Sequence, residues 1–223
     1  MTVGRPDFDA PAFIRAHTAL QAPKFVPEIE LYLASEVTPL WQMTEKEFGV
    51  TNSPPPFWAF AWPGGQGLAR YILDNPDVVR GQRVLDFACG CGIASIAAHK
   101  AGSIRVMASD IDPLARAALQ LNALHNGVFV EDIGVINLEK PFKGADIICA
   151  GDVCYQQTMS ASVTRWLRLC AEAGVLVLIA DPGRAWVPEQ GLIERTSFQV
   201  PTSRELEDSD SRTVLVWEMR GLE

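Results

Sequence analysis

The sequence has little of what most metal and nucleophile chemistry requires. It holds only three histidines, His17, His99 and His125, and none stands at a spacing from a Ser or Cys that suggests nucleophilic catalysis. The five cysteines, Cys89, Cys91, Cys149, Cys154 and Cys170, are odd in number and include no Cys-x2-Cys pair, so neither a metal site nor a disulfide framework is expected. Most sit in or beside apolar stretches and read as reduced, buried thiols. Basic residues are outnumbered, 19 Lys and Arg against 27 Asp and Glu, and no basic run is long enough to track phosphates, which argues against a nucleic-acid partner. The longest apolar run, Gly174-Val-Leu-Val-Leu-Ile-Ala180, is far short of the roughly 20 residues that span a bilayer and has the length of a buried strand. No membrane partner is expected. The first residues, Met1-Thr-Val-Gly-Arg-Pro-Asp-Phe-Asp9, carry no basic segment followed by an apolar one, which points to a cytoplasmic protein.

What is present is a chain of 223 residues, 48% hydrophobic, enough to close one large core. Residues 1–53, with prolines at 6, 11, 23, 27 and 39, read as an irregular N-terminal extension packed on the core. The triplet Pro54-Pro55-Pro56 marks a junction, and residues 54–223 form the main domain. There the grammar becomes regular. A helix over 67–74 ends at Asn75-Pro76, and a strand over 83–88 runs through a glycine turn into a helix over 93–100. A second strand, 104–109, leads to Asp112-Pro113, where Asp112 caps and Pro113 starts a helix reaching Asn126. A third strand lies within 128–136, a fourth at 145–150 before a helix over 159–173, and a fifth at 175–180. Two further strands, 197–200 and 213–219, have no helix long enough for a crossover between them and should pair antiparallel. The predicted fold is α/β: a doubly wound seven-strand sheet, five strands parallel plus a C-terminal antiparallel hairpin.

In such sheets ligands bind beyond the carboxyl ends of the strands, where strand order reverses. The turn after the first strand, Asp86-Phe-Ala-Cys-Gly90-Cys-Gly92, departs from a dinucleotide fingerprint because Ser95 stands where the third glycine belongs. A carboxylate at Asp86 is awkward for a pyrophosphate but suits a ligand carrying an ammonium and a sulfonium, as S-adenosylmethionine does; the competing reading is a glycine turn that only packs helix on strand. Asp110 ends the second strand 24 residues on, close to the ~20-residue spacing at which an acid reaches a ribose diol. Gly134 permits close backbone approach beside an adenine.

The order of strand, Asp-x-x-x-Gly-x-Gly turn, strand-end acid and Pro-started helix resembles the seven-strand, Rossmann-like S-adenosylmethionine-dependent methyltransferases. Gly151-Asp152-Val-Cys-Tyr155 is similar to the Asp-x-x-Tyr motif of protein-lysine methyltransferases, and Phe57-Trp-Ala-Phe-Ala-Trp62-Pro-Gly-Gly-Gln-Gly-Leu-Ala-Arg-Tyr-Ile-Leu73 to the tryptophan-bearing helix that precedes their first strand. Trp62-Pro-Gly-Gly-Gln66, Asp74-Asn-Pro-Asp-Val-Val-Arg-Gly81 and Asp181-Pro-Gly-Arg184 most resemble the electron transfer flavoprotein β-subunit lysine methyltransferase family. That resemblance implies a protein-lysine N-methyltransferase using S-adenosylmethionine, with the flavoprotein β subunit as its protein partner. It places Trp62 beside the cofactor, Gly90 and Gly92 under its methionine part, Asp110 on its ribose and Gly151 near the methyl donor. Asp152 and Tyr155 become the catalytic pair facing the incoming lysine, with Phe57, Trp58 and Phe60 walling the channel. Methyl transfer to an amine needs the reactants aligned about 3 Å apart. It also needs a neutral lysine, whose deprotonation at pH 7 costs roughly 4 to 5 kcal/mol from a pKa of about 10.4. Four competing readings are structural: a turn cap for Asp152, a core aromatic for Tyr155, core rather than site positions for Trp58 and Phe60, and a solvated loop rather than a docking patch for 205–211. Two are functional: a methyltransferase for another acceptor, such as a ribosomal protein or small molecule, and a non-catalytic binding module.

Overall fold

The computed structural model describes residues 8–48 and 55–221, so the expected junction at 53 and 54 lies outside the described residues. In chain order the elements are α1 (Ala10–His17), β1 (Ala19–Gln21), β2 (Leu31–Leu33), α2 (Val37–Phe48), α3 (Pro63–Asp74), β3 (Arg83–Phe87), α4 (Ile93–Lys100), β4 (Arg105–Ser109), α5 (Pro113–His125) and β5 (Glu131–Asp132). They continue with β6 (Ile147–Gly151), α6 (Gln157–Glu172), β7 (Leu176–Asp181), β8 (Leu192–Pro201), α7 (Arg204–Glu207) and β9 (Ser211–Met219). Seven strands form one sheet in the order β5-β4-β3-β6-β7-β9-β8. The first five are parallel, and β9 pairs antiparallel with both β7 and β8. This is the sheet that the alternating pattern predicts.

Strand periodicity sorts the core into two faces. Val84, Val106, Ile147, Cys149, Leu178 and Ala180 point to one side, under Leu68 and Ile72 of α3, Ile93 and Ile96 of α4, and Leu119 of α5. Their neighbours Leu85, Met107, Ile148, Ala150, Val177 and Ile179 point to the other, under Val163, Trp166, Leu167 and Cys170 of α6. A third cluster joins Phe13 and Ile14 of α1 and Leu40 of α2 to the outer side of α5 at Leu114, Ala115, Ala118 and Leu121. Trp58 and Phe60 are buried in that third cluster, so of the aromatic segment it is Phe57 and Trp62 that remain partly open. Of the two readings of Trp58 and Phe60, channel wall and core, the core one holds: α5 and α1 supply enough apolar surface to bury both rings.

Three elements differ from the sequence expectation. Helix α3 begins at Pro63 rather than Gly67, because the proline takes the first helical position, with its φ preset and no amide to satisfy. Strand β5 is only two residues long, paired to Met107 and Ala108, and the chain leaves it through Gly134 at φ +72°. The hairpin is longer, running from the pair Leu192 and Met219 to the pair Pro201 and Ser211, with a bulge between Glu194 and Thr196.

The start of α3 lies against the carboxyl end of β6 and β7 through glycines. A Cβ on Gly64 would meet the Ala180 carbonyl oxygen at 2.4 Å, and one on Gly151 would meet the Gly65 nitrogen at 2.8 Å. We expect Gly64→Ala to destabilise the protein by about 2 kcal/mol, roughly 4 to 8 °C in Tm. Thermal unfolding followed by circular dichroism checks this; an unchanged Tm would show that the contact is not tight.

Candidate active site

Strand order reverses between β3 and β6, since the chain passes outward from β3 to β4 and β5 and then returns to the other side of β3. The carboxyl ends of these neighbours open the crevice in which a ligand of an open α/β sheet sits. Nearly every residue singled out from the sequence lies along that edge.

On the β3 side, Asp86 is buried, and its Oδ2 accepts from the Ser95 N–H at 2.9 Å and the Ser95 hydroxyl at 2.6 Å. It therefore satisfies an amide in the first turn of α4, a duty usually met by a local cap. The loop between them turns on Ala88, Gly90 and Gly92, all at positive φ. Gly92 is there for packing, because a Cβ would lie 2.3 Å from Leu119 Cδ1. Gly90 is different: its missing Cβ faces open space, with no atom within 4 Å, which leaves a ledge for a ligand.

Asp110 stitches this loop to the turn after β4. Its Oδ2 accepts from Gly90 N–H at 3.0 Å and its Oδ1 from Asp112 N–H at 2.9 Å. Asp112 caps α5 by accepting from Leu114 N–H at 2.8 Å, as its position before Pro113 predicts. Between the two acids Ile111 is 83% exposed, a large apolar side chain presented at the rim. Gly134 follows β5, two strands out from β3 and so roughly 10 Å along the sheet.

On the β6 side, Gly151 abuts the backbone of Gly64 and Gly65, and Asp152 adopts φ +57°, a left-handed conformation that Asp tolerates better than most residues. Its Oδ2 accepts from Gly65 N–H at 2.8 Å in the first turn of α3, and its Oδ1 from Arg184 Nη1 at 2.6 Å. Tyr155 is 44% exposed and leans on Phe57, ring centroids 5.1 Å apart, so it is a rim aromatic rather than a core one. Phe57 in turn meets Trp62, whose indole N–H donates to the Phe57 carbonyl at 2.7 Å.

Sequence reasoning missed two supports of this edge. Buried Asn122 donates to the Cys91 carbonyl at 2.8 Å and accepts from Tyr32 N–H at 2.7 Å, tying the glycine loop to the N-terminal β1–β2 hairpin. Arg184, legible only as part of a turn, reaches Asp152 across 32 residues of sequence.

Burial dominates the electrostatics. It pushes Asp86 up to about 7 and Asp112 up to about 6, and raises Asp110 as well, the Asp110 charge adding to the rise at the other two. Burial also raises the Tyr155 hydroxyl, with the Asp110 charge adding to it, so Tyr155 is a neutral donor at neutral pH. Burial likewise holds the thiols of Cys91 and Cys154 up at about 12, which removes them as nucleophiles. Among the described residues no group of three His, Cys, Asp or Glu is placed to hold a metal. The β3–β4 side of the edge thus sets acids whose pKa values burial raises beside a glycine ledge, an environment complementary to a cation.

Comparisons with known proteins identify the family of the chain. A family model described as ribosomal protein L11 methyltransferase (PrmA) matches residues 70–153, from inside α3 to just beyond β6. The electron transfer flavoprotein β-subunit lysine methyltransferase of Rattus norvegicus is 35% identical over 219 residues, covering 95% of this chain and 85% of that protein. The Xenopus laevis protein of the same name is 40% identical over 176 residues, covering 78% and 70%. This chain belongs to that family. It is a methyltransferase, and its sheet is the Rossmann-like seven-strand sheet of such enzymes. The Pyrococcus horikoshii protein PH1948 shares the fold at a TM-score of 0.55 and 15% identity, over 77% of the methyltransferase and 91% of that chain.

The raised acids make the stability of the methyltransferase depend on pH with a definite sign. Folded Asp86 holds its proton to about pH 7, against an ordinary 3.8 for the unfolded chain. The stability this contributes is therefore complete below the unfolded value and is lost as pH rises toward the folded one. Asp86→Asn keeps an oxygen for Ser95 but cannot ionise. We expect the Tm of the wild type to fall relative to this variant between about pH 4 and pH 7; parallel curves would contradict the assignment.

Proposed function

We propose that the protein transfers methyl groups from S-adenosylmethionine to a lysine of the electron transfer flavoprotein β subunit, with Asp152 receiving the lysine. The observation that carries this reading is the placement of Asp152: a carboxylate at the topological switch point, anchored by the Gly65 amide and Arg184 and three residues before the half-exposed Tyr155. The relatives, named for that substrate, support the choice of acceptor.

The residues present fit the cofactor. The open ledge over Gly90 accommodates a ligand chain, and the acids Asp86 and Asp110 favour a ligand bearing positive charge. Asp110 would hold the ribose, Ile111 and the backbone at Gly134 would flank the adenine, and Trp62 and Gly151 would border the methyl-donor end. When bound, S-adenosylmethionine supplies a methyl group activated on a sulfonium.

The chain's own task is to align the amine and strip it of water. Asp152 attracts and orients the ammonium through lone pairs that Gly65 and Arg184 leave free. The Tyr155 and Phe57 rings form a wall along the aliphatic lysine stem and exclude water, which lowers the cost of the neutral amine. Tyr155 stays protonated and can donate a hydrogen bond, so it is not the base; the lysine proton leaves to solvent before alignment. A cytoplasmic site of action fits this reading.

The match of residues 70–153 to an L11 methyltransferase model favours, as the second reading, a ribosomal-protein acceptor. Both are tested by incubating the protein with methyl-labelled S-adenosylmethionine and either purified flavoprotein or L11, followed by intact-mass analysis of each chain. We expect whole-methyl mass steps confined to the flavoprotein β subunit. Asp152→Asn should cut turnover roughly 100-fold while cofactor affinity stays within about twofold. Methylation of L11 alone would transfer the assignment to the second reading, and undiminished turnover by Asp152→Asn would remove Asp152 from the site.

A further inference from the structure

Arg184, in the turn after β7, gathers three carboxylates from three separate elements. Its Nη1 lies 2.6 Å from Asp152 Oδ1 and 3.1 Å from Asp181 Oδ2, and its Nη2 lies 2.5 Å from Glu207 Oε1. Asp181 is fixed from its other side, its Oδ1 accepting from the Arg184 backbone N–H at 2.7 Å. The second oxygen of Glu207 lies 3.4 Å from Arg212 Nε at the start of β9. None of the three contacts to Arg184 is a loose surface pair: the side chains are 16% exposed at Arg184, 13% at Asp152, 6% at Glu207 and fully buried at Asp181. Little water is available to screen them. A guanidinium is a rigid planar fork, so two anchored contacts set the direction of the third.

The sequence of the hairpin tip, with acids at 205, 207, 208 and 210, suggests a solvated loop. Glu207 contradicts that, since α7 folds it back from the tip onto Arg184. The tip of the C-terminal hairpin is thereby joined to Asp152 through one residue.

We propose that Arg184 is the positioning residue of the acceptor site: Asp181 and Glu207 anchor its guanidinium, and through Nη1 it fixes the Asp152 carboxylate in the orientation that receives the substrate lysine. This rests on the reading of Asp152 given above and adds the device that aims it. A carboxylate offers about four lone-pair sites. Gly65 and Arg184 each occupy one, on different oxygens, so Asp152 is held from both sides and still accepts from an ammonium. Glu207 acts at one further remove, and α7 becomes part of the catalytic geometry without touching substrate.

A staple that merely fastens the hairpin to β7 would alter thermal stability and leave turnover alone, so the two roles separate by experiment. Unfolding temperature, calorimetric affinity for S-adenosylmethionine, and kcat and KM on the flavoprotein acceptor are compared for the wild type, Arg184→Met, Arg184→Lys, Glu207→Gln and Asp152→Asn. We expect Arg184→Met to lower kcat roughly 100-fold with cofactor affinity and KM within about twofold, and Arg184→Lys to restore about tenfold of it. Glu207→Gln, which leaves every partner of Asp152 in place, should lower kcat roughly tenfold at unchanged KM. If Arg184→Met does not fold, Glu207→Gln decides the matter. Turnover by Glu207→Gln and Arg184→Lys within about twofold of wild type, while Asp152→Asn is inactive, would overturn this inference and leave the reading of Asp152 standing. Full turnover by Asp152→Asn would instead overturn that reading.

Discussion

The first turn of α3 rests on the carboxyl ends of β6 and β7 with no side chain between them, and the geometry of the site follows from that contact. Gly64 and Gly65 on one side and Gly151 on the other bring backbone to backbone, so that the Gly65 amide points at the next residue of the β6 turn, Asp152. A helix start has amides with no partner inside the helix, and here the partner comes from another element 87 residues away in sequence. The same exchange recurs one strand over, where Asp86 in β3 satisfies the Ser95 amide in the first turn of α4. Two helix starts are therefore held by two strand carboxylates, and the cleft between β3 and β6 is bounded by structure already satisfied in its hydrogen bonds. Preorganisation of this kind is what an alignment reaction requires, because no group has to be reordered when the reactants arrive.

Charge divides the cleft into two halves with different chemistry. Toward β4, Asp86 is buried and Asp110 and Asp112 are half-buried, all three raised in pKa, with Arg116 a cation that counters Asp110. That half gains from a cationic ligand, which would restore the ionised state of its acids. Toward β7, Asp152, Asp181 and Glu207 already share Arg184, and their geometry is fixed by it. The first half is arranged to bind and the second to orient. The aromatic rim of Tyr155 and Phe57 stands at the edge of the second half, where the amine must lose water.

How much of this was legible in the sequence depended on the range of the interactions. Order and type of the core strands followed from local periodicity, and Asp112-Pro113 announced a helix cap that is there, because capping is settled within a few residues. Local apolar pattern starts the helix at Gly67 rather than Pro63, because the use of Gly64 and Gly67 as helix positions for close approach depends on Ala180, Asp152 and Val214, far away in sequence. Strand β5 is shorter than its apolar pattern suggests, since only two of its residues find a partner on β4. In the candidate site, motif resemblance names the residues but not the partners that the fold gives them. Nothing local to Asp181-Pro-Gly-Arg184 shows that its arginine spans to Asp152, or that an acidic hairpin tip buries Glu207. Trp58 and Phe60 take the core reading rather than the channel one: the 3-10 turn at 57–59 directs Trp58 inward, and Phe60 packs beside it in the same cluster.

The central claim is that the edge between β3 and β6 binds the methyl donor on the Gly90 side and receives the amine on the Asp152 side. A crystal structure of the protein with S-adenosylhomocysteine bound tests it most directly. The account predicts the homocysteine part over Gly90, the ribose hydroxyls on Asp110, and the sulfur facing the gap between Asp152 and Tyr155, with the Arg184 contact to Asp152 retained. Binding anywhere else on the molecule, or a sulfur directed away from Asp152, would contradict it.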